Sequence, residues 1–309
     1  MSCSCNATLN NTGSLGCPSI FSVARMPIFT HDLDATGATF RKSIADLKAF
    51  STLEPMLNAG TAPKSRLYPW PIVDNVENVK DDTVYQTLNS GDRVRIKEGA
   101  RNITMYVPNG DTELLGRLKQ AECAGKGVYI IDLDGNFVYS SRGTNDTYAY
   151  PIRIAKNTLD VQLMTGTYSE VQMLKVTFQV DLAEKDEYLR MIPASELDWT
   201  IDDIYGLVPV FGTVVGSPAA TTFTIDVFAR NSTSDNVPVT DFVAADFALY
   251  NVTDSASVTI STCVESSTIP GRYVFTYASQ TSADVLRLTT NKDRYTSEDA
   301  LEDVVITIA

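Results

Sequence analysis

The sequence predicts a mainly β protein built from two β-rich regions. Residues 171–180 alternate apolar and polar side chains, the period-two pattern of a strand with one buried face. Residues 128–140 place two apolar runs on either side of an Asp-Gly-Asn turn, which predicts a hairpin. From about Gly206 onward, short apolar runs recur between turn residues. All three patterns favour strands over helices.

Residues 1–60 are predicted to form an N-terminal arm. This segment is rich in Asn, Thr, Ser and Gly, so we expect it to have little core of its own. Within it, RKSIADLKAF places Ile44, Leu47 and Phe50 at helical spacing, which predicts one short helix.

Residues 61–205 are predicted to form a domain of strands with one helix. The segment DRVRIKEGARNITMYVP alternates Arg93, Arg95 and Lys97 with apolar residues, which predicts a half-exposed strand with a basic face. The helix is predicted in TELLGRLKQA, with Asp111 as its N-cap. Two further strands are predicted in YPIRIAKNTLDVQLM and SEVQMLKVTFQVDL. The domain ends in a charged, partly helical tail, AEKDEYLRMIPASELDW.

Residues 207–309 are predicted to form a separate small β-sandwich. Runs such as TTFTIDVFA, GRYVFTYA and DVLRLTT are short, alternate in polarity and are spaced by turn residues, which is typical of an immunoglobulin-type sandwich. The candidates for core or corner positions are aromatic: Tyr250, Tyr273, Phe275 and Tyr277.

The charge of the chain argues against several classes of partner. The 309 residues carry a formal net charge of -13, which repels nucleic acid and anionic membranes, so sequence-specific DNA binding is not expected. No apolar run is long enough for a membrane span, and the first residues lack a secretory signal. We therefore expect synthesis in a cytoplasm, no export by the general route and no membrane partner.

Three of the five cysteines cluster near the start, at Cys3, Cys5 and Cys17. A metal site there would need the single histidine, His31, and the spacing matches no paired zinc motif, so no metal is predicted. Ordinary thiols, or cross-links formed late in an assembled particle, are the two interpretations that stay open.

The stretch AGKGVYIIDLDGN contains fragments of two known site motifs. A phosphate-binding loop would need glycine where Gln120 stands and a hydroxyl residue where Gly127 stands. A calcium loop starting at Asp132 would need glycine at Phe137 and glutamate at Gly143. Both motifs fail, so DLDGN is predicted to be the turn of the hairpin, and no cofactor is expected.

No catalytic constellation emerges from the sequence. Serine or cysteine catalysis would have to use His31, and the chain has no Gly-x-Ser-x-Gly segment. Paired acids such as Asp202 and Asp203 are expected to be solvated surface. We predict that the protein is not an enzyme and has no catalytic residues.

The one sustained basic cluster in the sequence consists of Lys126, Arg93, Arg95, Lys97 and Arg101, of which the last four are the candidate subunit-contact residues. It is either a solvated strand face or a contact surface for an acidic neighbour, and in so acidic a chain that neighbour could be another copy. The sequence leaves both interpretations open.

The order of elements resembles the tail tube proteins of tailed bacteriophages. The similar elements are the strand NITMYVP, the helix TELLGRLKQA, the strand GVYIID, the Asp-Gly turn, the strand NFVYS and the long strands ending in KVTFQVDL. The segment VAADFALYNVTDSASVTISTCVESSTIPGRYVFTY is similar to the immunoglobulin-like modules appended to that family. The start MSCSCNATLNNTGSLGCPSIFSV, and the block from LYPWPIVDNV to EKDEYLRMI, are similar to virion structural proteins of phages of Bacteroidetes-type hosts.

This resemblance implies a fold and a role. It implies a tail-tube-like β-sandwich or barrel with one flanking helix over residues 61–205, closing into rings that stack into a conduit for DNA ejection. The partners would be copies of the chain, other virion proteins and passing DNA bound without sequence specificity. The location would be the virion tail, after synthesis in the host cytoplasm.

Two alternatives remain at this stage. A head decoration or head–tail connector protein of the same kind of virion would share the structural class. A glycan-binding surface adhesin would belong to another class, with Tyr250 and Tyr273 as candidates for stacking on sugars.

Overall fold

Antiparallel strands dominate the computed structural model. It describes residues 21–297 and 304–308, apart from 59, 109, 111, 123, 124, 143–146, 168–170, 233, 234 and 291. The mainly β class predicted from the sequence is confirmed. The described residues contain three α-helices, α1 (Ile44–Lys48), α2 (Phe50–Leu57) and α3 (Thr112–Gln120), where the resemblance implied one helix beside the β domain.

The described residues of the first domain contain fourteen strands. They are β1 (Ala24–His31), β2 (Lys42–Ser43), β3 (Tyr68–Pro69), β4 (Asp74–Lys80), β5 (Val84–Thr87), β6 (Arg93–Lys97), β7 (Arg101–Pro108), β8 (Lys126–Asp132), β9 (Phe137–Ser140), β10 (Tyr148–Ala149), β11 (Ile152–Arg153), β12 (Asp160–Met164), β13 (Met173–Val180) and β14 (Leu189–Ile192). One sheet has the order β14-β9-β8-β1-β3, with β11 also paired to β8, and a second has the order β12-β13-β7-β4. The strands β5 and β6 form a two-stranded sheet of their own, as do β2 and β10.

The pair β1–β8 lies between two hydrophobic cores. Phe29 and its partner Val128 belong to the core shared with the four-stranded sheet and α3. Ile28 and its partner Tyr129 belong to the core shared with α1, α2 and the segment that ends the domain. Because neighbouring residues in a strand point to opposite faces, one sheet serves both cores. The domain therefore has a helical layer and two β layers.

The N-terminal region differs from the expected arm. The strand β1 pairs with both β8 and β3, and Phe40, Leu47, Leu53 and Leu57 are buried in the helical-side core. Residues 24–57 are thus part of the domain rather than an arm with little core. The prediction of an arm rested on the polar composition of this segment. A few apolar residues at suitable spacing are enough to fill the helical-side core, while the many polar residues around them remain at the surface.

Of the two long strands predicted from alternation, one is observed as predicted and the other is divided. In β13, Leu174, Val176, Phe178 and Val180 are buried and the residues between them are half-buried, as the alternation predicted. The segment YPIRIAKNTLDVQLM, predicted as one strand, is instead divided between β11 and β12. Asn157 lies between them with a φ of 59°, a left-handed conformation that interrupts a strand.

The DLDGN segment is a hairpin turn held by the carboxylate of Asp132, as its turn residues predicted. This side chain is 1% exposed and accepts hydrogen bonds from the backbone N–H groups of Ser22, Asp134 and Asn136, and from the Asn136 amide. Gly135 has a φ of 83°, which suits glycine. The carboxylate therefore stabilises the connection between β8 and β9.

The second domain is a β-sandwich that starts at Val208. Its strands are β15 (Val208–Ala219), β16 (Thr222–Ser232), β17 (Asp235–Pro238), β18 (Phe247–Asn251), β19 (Ala256–Val258), β20 (Ile260–Glu265), β21 (Arg272–Tyr277), β22 (Val285–Thr290), β23 (Tyr295–Thr296) and β24 (Val304–Thr307). One sheet has the order β20-β21-β16-β15-β23, with β17 beside β16, and the other has the order β19-β18-β22-β24. Tyr273, Phe275 and Tyr277 are core residues as expected, whereas Tyr250 is 41% exposed and lies outside the core.

Polar and aromatic contacts join the two domains. The Asn58 amide donates a hydrogen bond to Asp293 at 3.0 Å, and the Arg294 guanidinium lies 4.5 Å from the centroid of the Tyr205 ring. A side chain at Gly206 would press on the carbonyl of Pro69, so glycine allows the linker to pass close to the first domain.

We expect Asp132→Ala to lower the free energy of unfolding of the first domain by about 2–4 kcal/mol, because it leaves buried N–H groups without an acceptor. Urea unfolding followed by tryptophan fluorescence measures this, since Trp70 and Trp199, the only tryptophans, both lie in that domain. Asp134→Ala makes the same chemical change at an exposed position and serves as the control. Equal stability of the two variants, or stabilisation of the wild type by Ca²⁺, would contradict the turn assignment.

Candidate assembly surface

The strands β5 and β6 form a hairpin, residues 84–97, that within the described residues pairs with neither the six-stranded nor the four-stranded sheet of the first domain. Every residue of the two strands is exposed. Its five large apolar side chains, Val84, Tyr85, Leu88, Val94 and Ile96, are between 46% and 60% exposed. An isolated two-stranded hairpin is marginally stable in water, and clustered exposed apolar residues mark interaction sites. We call this element the basic hairpin.

The two faces of the basic hairpin differ in chemistry. Tyr85 pairs with Arg95 and Thr87 pairs with Arg93, so these four residues share one face. The Arg93 guanidinium lies 5.2 Å from the centroid of the Tyr85 ring. Val94 points to the other face, and a bulge near Ile96 shifts the register before Lys97 pairs with Val84.

The structure corrects the expected environment of this segment. Alternation predicted a half-exposed strand, with Val94 and Ile96 covered by the domain. Both residues are exposed, because β6 pairs only with β5 within the described residues and no layer of the domain lies behind it. Alternation indicates two chemically different faces, but it does not identify what covers the apolar one.

The neck of the hairpin is closely packed. The Asp81 N–H donates to the carbonyl of Ala100 at 2.8 Å, which holds the incoming and outgoing chain together. A Cβ atom on Gly99 would overlap the carbonyl oxygen of Asp81. Only glycine allows the two chain segments to approach this closely. The hairpin is therefore attached through a narrow, fixed neck.

Charged side chains surround this neck. Lys80 donates to Glu98 and to Asp186, each at 2.8 Å, and Arg101 donates to Asp186 at 2.6 Å. We call these four residues the neck cluster. The Lys80 ammonium lowers the pKa of Glu98, and Lys80 with Arg101 lowers the pKa of Asp186, because hydrogen bonds to cations favour the charged carboxylates.

The sequence-predicted contact residues fall into two places. Arg93, Arg95 and Lys97 lie together on β6 of the basic hairpin. Arg101 lies at the start of β7 and is paired with Asp186 in the neck cluster, so it does not extend the basic face. No local pattern pointed to Asp186, because its partners Arg101 and Lys80 are 85 and 106 residues away in the chain.

A second surface of interest is the outer face of the four-stranded sheet. Lys175 lies beside Gln162 and Tyr106, and Thr177 lies beside Asp160 and Thr104. The carboxylates on this side, from β4 and β12, are Asp74, Glu77 and Asp160. Lys175 is the one cation that the described strands contribute to these rows. This face carries more acidic than basic side chains, together with the apolar residues Val79, Met164 and Met173.

The cysteines, the helix N-cap candidate and the aromatic candidates for sugar binding lie away from the basic hairpin or outside the described residues. Cys3, Cys5, Cys17, Cys123 and Asp111 lie outside the described residues. Burial raises the pKa of the Cys263 thiol to about 12, so this cysteine is a weak nucleophile at neutral pH. Tyr273 is fully buried and its hydroxyl donates to the carbonyl of Val239, so it is not available for stacking on a sugar. Tyr250 is exposed on the outer side of β18.

The described part of the chain carries neither a cluster of metal ligands nor a membrane-spanning helix. It contains no group of three or more His, Cys, Asp or Glu side chains arranged to hold a metal ion. Its helices are all too short or too polar to cross a lipid bilayer.

Comparison with protein-family models, with curated proteins and with solved structures finds no match for this chain. The candidate surface therefore depends on the geometry and chemistry of the described residues.

We expect Gly99→Ala to distort the neck and lower the free energy of unfolding by about 1–3 kcal/mol, as overpacking does elsewhere. Tryptophan fluorescence in urea gives the stability, and hydrogen exchange of the hairpin amides shows whether the change is local. Gly116→Ala, in α3 with open space around it, is the control and should be neutral or stabilising by up to about 1 kcal/mol. If Gly99→Ala and Gly116→Ala both have the stability and the hairpin exchange rates of the wild type, the neck is not closely packed.

Proposed function

We propose that this chain is a structural subunit of a bacteriophage virion, the tail tube protein whose stacked rings form the conduit for DNA ejection. The observation that carries the proposal is the basic hairpin, which exposes three cations and five large apolar side chains and pairs with neither main sheet. Such an element suits a protein that buries it against a neighbouring subunit.

Charge complementarity favours another copy of the chain as that neighbour. The chain has a net charge of -13, whereas the hairpin contributes Arg93, Arg95 and Lys97 against the single carboxylate of Asp92. Opposite charges on two surfaces of one chain steer identical copies together and fix their register. A head-to-tail contact of this kind produces rings when the rotation closes.

The outer face of the four-stranded sheet suits the wall of a DNA conduit. Its amides, hydroxyls and carboxylates are compatible with water, and the acids outnumber the single cation Lys175. Each fixed cation would add a contact to a phosphate group, so an acidic wall lets a duplex slide without being retained. The partner in this role is DNA that passes without sequence-specific binding.

A head decoration or head–tail connector protein is the alternative in the same structural class. It would use the same hairpin in a closed assembly rather than in an open stack. A glycan-binding adhesin has weaker support, because only Tyr250 of its two candidate aromatic residues is exposed.

Negative-stain electron microscopy of the full chain at high concentration tests the proposal, beside a chain that ends at residue 206. We expect hollow tubes from both, with surface knobs present only in the full chain, because the sandwich has its own core and the basic hairpin belongs to the first domain. Small closed oligomers from both would favour the decoration or connector role. Monomers that do not polymerise even with a tail initiator complex would contradict a tube.

Reversing the hairpin charges tests the contact surface itself. We expect Arg93→Glu, Arg95→Glu and Lys97→Glu together to raise the critical concentration for assembly at least about tenfold, since like charges across an interface cost several kcal/mol. Sedimentation across a concentration series gives this value. The matched control reverses three exposed cations elsewhere, Lys64, Lys156 and Arg190. If both triple variants raise the critical concentration equally, the effect comes from the net charge of the chain. The hairpin would then not be the contact surface.

A further inference from the structure

The neck cluster connects the basic hairpin to both β layers of the first domain. Lys80 ends β4 and Arg101 begins β7, so both belong to the four-stranded sheet. Glu98 follows the last residue of β6. Asp186 comes shortly before β14, which pairs with β9 in the six-stranded sheet. Three ion pairs of 2.6–2.8 Å therefore link the hairpin base to two separately anchored sheets.

Asp186 has the central position in this cluster. Its two carboxylate oxygens bind different cations, Oδ2 to Lys80 and Oδ1 to Arg101. Without this carboxylate, Lys80 and Arg101 would face each other as like charges at the neck. The segment that bears Asp186 is held in place, because the Tyr188 carbonyl accepts a hydrogen bond from the Ser141 N–H at 2.8 Å. Asp186 is thus a fixed point to which the hairpin base is tied.

We propose that the neck cluster is an acid-sensitive latch that holds the basic hairpin in one direction relative to the two sheets. A hairpin without a covering layer needs such a restraint, because the four residue pairs between its two strands do not fix its angle to the domain. For the proposed function, which this last step assumes, a fixed direction reduces the entropy lost when the hairpin docks on a neighbouring subunit.

The direction of the pH effect follows from the carboxylates. The pKa values of Asp186 and Glu98 are both lower in the folded protein than in the unfolded chain. All three ion pairs of the latch are therefore formed at neutral pH. They are lost as the pH falls through the lowered pKa values of Asp186 and Glu98, which lie below the ordinary carboxyl pKa of about 4. The other charged groups nearby are Arg95, which also favours ionised Glu98, and Asp181 and Glu184, which line the same small cavity.

Hydrogen exchange of the full-length protein, kept dilute and unassembled, tests the latch. We expect Asp186→Asn to accelerate exchange of the hairpin amides about fivefold at neutral pH, the size of effect that an ion-pair network gives. Exchange in β8 and β13 should not change. Asp186→Glu, which keeps a carboxylate, should restore slow exchange. The control is Glu187→Gln, an exposed neighbour whose carboxylate pairs with Lys185 at 3.3 Å.

The pH dependence gives a second readout. After correction for the intrinsic exchange rate, the wild-type hairpin should lose protection below about pH 4, and Asp186→Asn should show a smaller loss. Equal hairpin exchange in Asp186→Asn and the wild type would overturn the latch, and so would an equal acceleration throughout the domain. Because the protein is unassembled, the latch can fail while tubes still form. Tubes can equally fail to form while the latch behaves as proposed.

Discussion

The architecture of the first domain depends on the antiparallel pairing of β1 with β8. The central residues of both strands are buried on both faces, so that Phe29 and Val128 contribute to one core and Ile28 and Tyr129 to the other. The helices α1 and α2 cover one side of this sheet, and the four-stranded sheet covers the other. Losing the pairing would remove Phe29 from one core and Met26 and Ile28 from the other. The buried carboxylate of Asp132 then stabilises the turn that follows β8.

The basic hairpin contrasts with this layered arrangement. The layers bury their apolar residues within the chain, whereas the hairpin exposes Val84, Val94 and Ile96 to solvent. Burying apolar surface is the main favourable term in folding, so an uncovered apolar element is a cost to the isolated subunit that association can recover. The narrow neck at Gly99 and the neck cluster keep this element apart from the domain. The molecule thus separates the residues that make it fold from those that we propose make it assemble.

Charge follows the same division. The cations on the hairpin and the carboxylates on the outer face of the four-stranded sheet lie on different elements of one acidic chain. Salt screens such exposed charges within about 8–10 Å, so their main effect is on the orientation and rate of encounter between copies. The apolar side chains of the hairpin would supply most of the contact energy. The sandwich adds acidic residues at the other end of the sequence, and both polar and aromatic contacts join it to the first domain.

The sequence by itself determined the mainly β fold class, the β8–β9 hairpin, the burial pattern of β13 and the position of the helix α3. These features follow from the spacing of apolar residues and from turn residues, which are local properties of the sequence. It also identified Arg93, Arg95 and Lys97 as a basic group. Only the tertiary structure decided that residues 24–57 enter the core, because β1 finds its partner β8 about a hundred residues away. The exposure of both hairpin faces and the pairing of Arg101 with Asp186 likewise depend on contacts between distant segments. Local pattern gives each face its chemistry, and the packing of distant segments decides what covers it.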